Sequence, residues 1–143
     1  MYDLLKYFTI ISGIILIIHE INPKYNIFNI HLTSLITFVF GTYIAYYVNK
    51  LHIKLHSIDY NFIIEGNILK LGDFIFHVLP FIYVWFTKDF SDKNVLNTLL
   101  LISLYYIFID IDDVYILVND HFKKLLLLIL LLFCIKTMCI QGK

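Results

Sequence analysis

The chain of 143 residues is 60% apolar and 17% aromatic, has only 15% charged residues and carries no net charge. Its mean hydropathy of +0.81 sets it apart from soluble domains, which are about half apolar and about a quarter charged. These figures exclude a disordered chain, a nucleic-acid binder with a basic face and, with only two cysteines, a disulfide-framework secreted domain.

What remains is an all-α, polytopic membrane helical bundle whose first partner is the lipid bilayer. A helix needs about 20 mainly apolar residues to cross a hydrocarbon core about 30 Å thick. Five segments qualify: residues 4–21, 31–48, 68–86, 95–117 and 122–140. They fill residues 1–143 as a single transmembrane domain and leave no room for a soluble one.

The first span ends at Asn22-Pro23, because proline removes a donor and disfavours helix in the residue before it. No small-residue cleavage site follows its apolar run, so it reads as a retained anchor. His19-Glu20 opens a zinc-protease HExxH pattern, but Pro23 occupies the second histidine position, so that reading fails.

The second span places Ser34, Thr37, Gly41 and Ala45 along one helical stripe. Small residues let helices approach closely in lipid, where no hydrophobic force drives them together. Thr9 and Gly13 of the first span have the same spacing, with Ser12 adjacent. The two stripes are predicted to face each other or a second copy of the chain.

The connection over residues 49–67 reads two ways. Lys50 to His56 alternates polar and apolar residues, which suits a strand. The same stretch also extends the second helix into the interface, with Leu51, Leu55 and Ile58 on one side, and this is the preferred reading. Glu65-Gly66-Asn67 is a candidate turn. The lysines interleaved with His52 and His56 favour contact with anionic lipid over metal binding.

The third span carries Asp73 and His77 one turn apart on one face. Pro80 frees the carbonyl of Phe76 and predicts a kink. The fourth span carries Asp110, Asp112 and Asp113. Counted from the membrane boundary they share, Asp73 lies about 8 Å deep, Asp113 about 6 Å and Asp110 about 11 Å. If the third and fourth spans are neighbours, Asp73, His77, Asp110 and Asp113 converge in one polar pocket. Intramembrane ionisable groups are costly and are functional candidates by default. Three carboxylates and an imidazole suit a divalent cation, zinc or a proton relay. The structural alternative leaves the aspartates at headgroup level and the histidine bonded to a freed carbonyl.

The fifth span is nearly unbroken leucine from Leu125 to Phe133 and reads as a peripheral, lipid-facing helix. Cys134 and Cys139 lie about 140° apart around its axis, which disfavours a disulfide between them. With five spans, the lysines favour a cytoplasmic N-terminus by one residue. No motif specifies a cofactor.

The chain has 26 Ile, 11 Lys, a single Ala (Ala45) and no Arg. Without arginine there is no planar fork to clamp phosphate or carboxylate bidentately. With its five-span layout, this composition resembles the multi-pass membrane proteins of AT-rich giant DNA viruses such as mimivirus. The resemblance covers the whole chain and is compositional. It implies a multi-pass location in a host or virion membrane and no catalytic residues. Two functions fit the sequence. The first is a non-enzymatic membrane component that binds partner helices or forms a homo-oligomer through the Ser34, Gly41 and Ala45 face. The second is a metal- or proton-dependent membrane enzyme or transporter centred on Asp73, His77, Asp110 and Asp113.

Overall fold

The structure, a computed structural model, describes residues 7–55 and 60–109, with Leu128, Leu131, Leu132, Ile135 and Lys136 beyond them. The side chains of Lys54 and Tyr106 are outside this set. Four helices and one hairpin follow in chain order: α1 (Phe8–Ile21), α2 (Ile30–Val48), β1 (Lys50–Leu55), β2 (Tyr60–Glu65), α3 (Gly66–Thr87) and α4 (Val95–Phe108).

Helix α1 stops where Asn22-Pro23 predicts. Asn22 turns extended, and its side chain caps the short 3-10 turn Pro23–Tyr25 by accepting from the Lys24 N–H at 3.1 Å. Asn29 then starts α2, its Oδ1 accepting from the Leu32 N–H at 2.9 Å, which satisfies one of the helix's free first-turn donors. The last part of α2, Tyr43–Val48, widens into π geometry. It ends at Asn49, whose left-handed φ of 57° stops the helix. Asparagine tolerates that conformation better than most residues.

The connection is a hairpin, which corrects the preferred reading of an interfacial helix. β1 and β2 pair antiparallel from Lys50 opposite Glu65 to Leu55 opposite Tyr60. Asn49 blocks the helical extension, and the alternation of Lys50, His52 and Lys54 with Leu51, Ile53 and Leu55 then suits a strand with unlike faces. Lys50 and Glu65 place opposite charges across the ladder, and His52 bonds Asn61. On the other face Leu51 pairs with Ile64, and both pack against the helical core. Gly66, at φ +66°, turns β2 straight into α3.

Helix α3 is continuous but passes through a π-turn at Phe74–Val78. The Leu79 N–H reaches back to the Phe74 carbonyl immediately before Pro80. The disturbance predicted at Pro80 therefore takes the form of a locally widened helix, a common accommodation within α-helices. Helix α4 starts after Asn94 (φ 63°) and runs to Phe108. The predicted remainder of the fourth span, and Asp110, Asp112 and Asp113, lie outside the described residues. So do Cys134 and Cys139. Of the fifth span, Leu128, Leu131, Leu132 and Ile135 are all exposed.

The core is organised around α2, which packs against α1, α3 and α4. Leu32, Ile36, Phe40, Ile44 and Ala45 of α2 meet Phe8, Leu69, Ile102 and Tyr105 from the other three helices. Near the Asn29 end, Ile15, Ile30 and Val84 form a second apolar cluster. That end is tied by polar contacts. The Asn29 Nδ2 donates to the carbonyls of Ser91 (2.7 Å) and Lys93 (2.9 Å). Glu20 accepts from Lys88 and from the Tyr83 hydroxyl. The hydrogen bond to Glu20, reinforced by Tyr83, holds the Lys88 ammonium above the usual lysine range.

Two helices are long and apolar enough to cross a membrane, and they are buried very differently. In α2, 61% of the apolar window is buried within the chain; in α3 only 17% is. Within the described residues α1 and the apolar part of α4 are shorter than a full span.

Candidate functional site

Asp73 and His77 lie near the middle of α3, one turn apart. The His77 Nδ1 is 2.9 Å from the Asp73 Oδ1. Its Nε2 is 2.9 Å from the Thr9 Oγ1 of α1. A carboxylate, an imidazole and a hydroxyl thus form one chain across two helices. The third helix at this point is α2, which presents Gly41. A Cβ on Gly41 would overlap His77 Nδ1 and Asp73 Oδ1, so the bare backbone there admits the pair. The Asp73 side chain is 2% exposed, against 18% for His77. Among the described residues its second oxygen, Oδ2, has no partner, and neither does the buried hydroxyl of Thr42 next to Gly41. A buried polar atom left unpaired costs free energy on the order of 1–3 kcal/mol, so this is not ordinary core.

Beside the chain lies a cavity of about 60 Å³ between α1, α2 and α3. Thr9, Ser12, Gly13, Thr33, Ser34 and Thr37 line it together with the apolar Leu16, Ile30, Phe76, Pro80 and Val84. Thr9 belongs to both features, since it lines the cavity and bonds His77. The cavity is more apolar than polar in its lining, with a volume sufficient for a few water molecules at about 10–15 Å³ each. Three of its hydroxyls already spend their hydrogens within α2. Thr33 donates to Asn29 and Ile30, Ser34 to His31, and Thr37 to Thr33 and Ser34.

The chain matches no family model, no curated protein and no solved structure. The site is therefore read from its own atoms.

Residues that the sequence sorts into two groups meet here in one place. Thr9 and Gly41, from the two packing stripes, touch the Asp73–His77 pair. Gly13, Ser34 and Thr37 face the cavity between α1 and α2. Ala45, fully buried, packs in the central cluster with Leu69 of α3. The Trp85 Nε1 of α3 donates to the Ser34 Oγ at 3.2 Å. Within the chain the α2 stripe thus packs against α1 and α3, the first of the two arrangements its spacing predicts.

Of the pocket predicted between the third and fourth spans, Asp73 and His77 are among the described residues. His77 points to α1, and Asp73 and His77 meet α2 at Gly41. Asp110 and Asp113, the other two members of that set, are outside the described residues. Among the described residues no three His, Cys, Asp or Glu side chains group closely enough to hold a metal. Sequence reasoning missed Thr33 and Thr42 and the role of Asn29. The run Thr33-Ser34 with Thr37 one turn later was the available signal for a hydroxylated helix face.

Proposed function

We propose that the chain is a multi-pass integral membrane protein, a non-enzymatic component of its membrane that organises lipid or neighbouring helices. One observation carries this reading. Over the 22 residues of α3 only 17% of the apolar window is buried. Ile68, Leu71, Phe74, Phe76, Leu79 and Phe86 are all exposed. A soluble protein rarely leaves so continuous an apolar helix to water, whereas hydrocarbon is a suitable solvent for it. At about 1.5 Å per residue, α2 is about 28 Å long and α3 about 33 Å, against a hydrocarbon core of about 30 Å.

The ends of the helices support the same reading. Lys88, Glu20, Asn94 and Lys93 gather at one end of the bundle, and Lys50, Glu65 and Lys70 at the other. Tyr43, Tyr46 and Tyr47 lie near the second end, where aromatic residues commonly sit at membrane boundaries. The compositional likeness to proteins of AT-rich giant DNA viruses makes a host or virion membrane the setting we propose, with α1, α4 and the leucine-rich fifth segment as further spans. Extraction tests the reading. After expression in cells, the full chain stays with the membrane pellet through alkaline carbonate washing and enters solution only with detergent. Release by carbonate or by salt alone contradicts it.

A further inference from the structure

We propose that Thr9, His77 and Asp73 form an internal proton-binding relay, loaded from the cavity that Thr9 lines. The inference rests on burial of Asp73 inside the helical bundle and not on the bilayer around it.

The geometry has a beginning and an end. Thr9 Oγ1 lines the cavity and contacts His77 Nε2 at 2.9 Å. His77 Nδ1 contacts Asp73 Oδ1 at 2.9 Å. Asp73 Oδ2 is the blind end, buried and unpaired. Hydrogen-bonded chains of this kind pass protons without moving heavy atoms. The unpaired Asp73 Oδ2 is a buried polar atom without compensation, and the bonds through His77 and Thr9 connect its carboxyl to the cavity that Thr9 lines.

Uptake is balanced in three transfers. In the empty state Asp73 is a carboxylate and His77 is neutral, with its hydrogen on Nδ1 and Nε2 accepting from Thr9. A hydronium in the cavity gives a proton to Thr9 Oγ1 and becomes water. The original Thr9 hydrogen moves to His77 Nε2. The Nδ1 hydrogen moves to Asp73 Oδ1. The loaded state holds a neutral carboxylic acid and a neutral imidazole of the opposite tautomer, now donating to Thr9. One proton has entered, and no charge remains at the blind end.

From α1 and α2 the groups presented to the Asp73–His77 pair are Thr9 and Gly41, with Thr42 beside them. The described ionisable histidine and carboxylate groups of those helices, His19, Glu20 and His31, stand ten or more residues along from Thr9 or Gly41, about 15 Å away. On α3 itself, the Lys70 ammonium lies over the Tyr46 ring at 5.4 Å.

Infrared pH-difference spectroscopy of the purified full chain, in detergent and in lipid nanodiscs, tests the relay. Acidification is expected to raise a protonated-carboxyl band that Asp73→Asn removes. Thr9→Val keeps the band but slows hydrogen–deuterium exchange of that carboxyl several-fold. His77→Gln shifts the pH midpoint of the band. Circular dichroism establishes that each variant is folded; if Asp73→Asn is not, the Thr9 and His77 variants decide. The proposal is overturned if no such band rises, if it survives in folded Asp73→Asn, or if both other variants leave its exchange and midpoint unchanged. Appearance of the band in detergent alone or in both media supports the site and is separate from whether the chain resides in a membrane.

Discussion

The imidazole of His77 rests on the bare backbone of Gly41, so close that a single added Cβ would overlap both it and the Asp73 carboxyl. This contact joins the packing of α2 and α3 to the polar chain that runs from Asp73 to Thr9. The small residue and the ionisable pair therefore form one device. The glycine permits the approach, and the approach buries the carboxyl.

Gly41→Ala follows directly. The new methyl displaces His77 or forces α2 and α3 apart, and overpacking of this kind typically costs about 1–3 kcal/mol. A Cβ on Gly13 or Gly72 meets nothing within 4 Å, so alanine there is neutral or gains up to about 1 kcal/mol from helix propensity. Thermal unfolding in detergent should separate the substitutions cleanly: a lower Tm for Gly41→Ala, an unchanged or higher Tm for the other two.

Asn29 does three things at once. It caps α2 through Leu32 and holds the Ser91 and Lys93 carbonyls. Replacing it with alanine removes a cap worth about 1 kcal/mol and leaves the two carbonyls short of a donor. The expected loss is about 2–4 kcal/mol, given about 1 kcal/mol for each further bond. Asn29→Asp retains the cap and loses the two donations, so its Tm should fall between those of the wild type and the alanine variant.

Asn49 separates helix from hairpin by adopting φ 57°. Asn49→Gly should be tolerated, whereas Asn49→Val should cost about 1–2 kcal/mol, the penalty of a left-handed residue with a Cβ. Equal melting temperatures for the two variants would show that the hairpin does not depend on this turn.

Lys88 gives a pH signature. Its hydrogen bond to Glu20 raises it above the ordinary value of 10.5. A group whose folded value is raised contributes stability that is complete below the unfolded value and fades as pH rises through the folded one. The Tm advantage of the wild type over Glu20→Gln should therefore hold from neutral to mildly alkaline pH and close above about pH 10.5. An advantage that grows in that window has the wrong sign for this pair. Because the pair is at the surface, the advantage should also shrink with added salt.

The sequence yields the helices most readily, because proline, asparagine caps and apolar runs act locally. Asn22-Pro23 ends α1 where expected, and Val95 starts α4. The hairpin is harder to read, since Lys50 to Leu55 suits either period until Asn49 is known to be left-handed. The site is legible only in pieces. Asp73 and His77 are paired by their spacing, and Gly41 and Thr9 are marked as small or hydroxylated. Which helix His77 faces is a tertiary fact that no local pattern encodes. Matched depth along two spans does not fix the azimuth of either helix, and Asp110 and Asp113 lie outside the described residues. The use of Ser34 and Thr37 to line a cavity also depends on α1 and α3 arriving together.

The central claim is that the outward face of α3 lies in hydrocarbon. Single spin labels at Ile75, Leu79, Ile82 and Phe86, with Lys88 and Glu65 as boundary sites and Cys134 and Cys139 replaced by serine, test it most directly in lipid vesicles. Collisions with oxygen should be high, and with a water-soluble nickel chelate low, along the α3 face, with the order reversed at Glu65 and Lys88. Nickel access at Leu79 or Ile82 equal to that at Lys88 would contradict it.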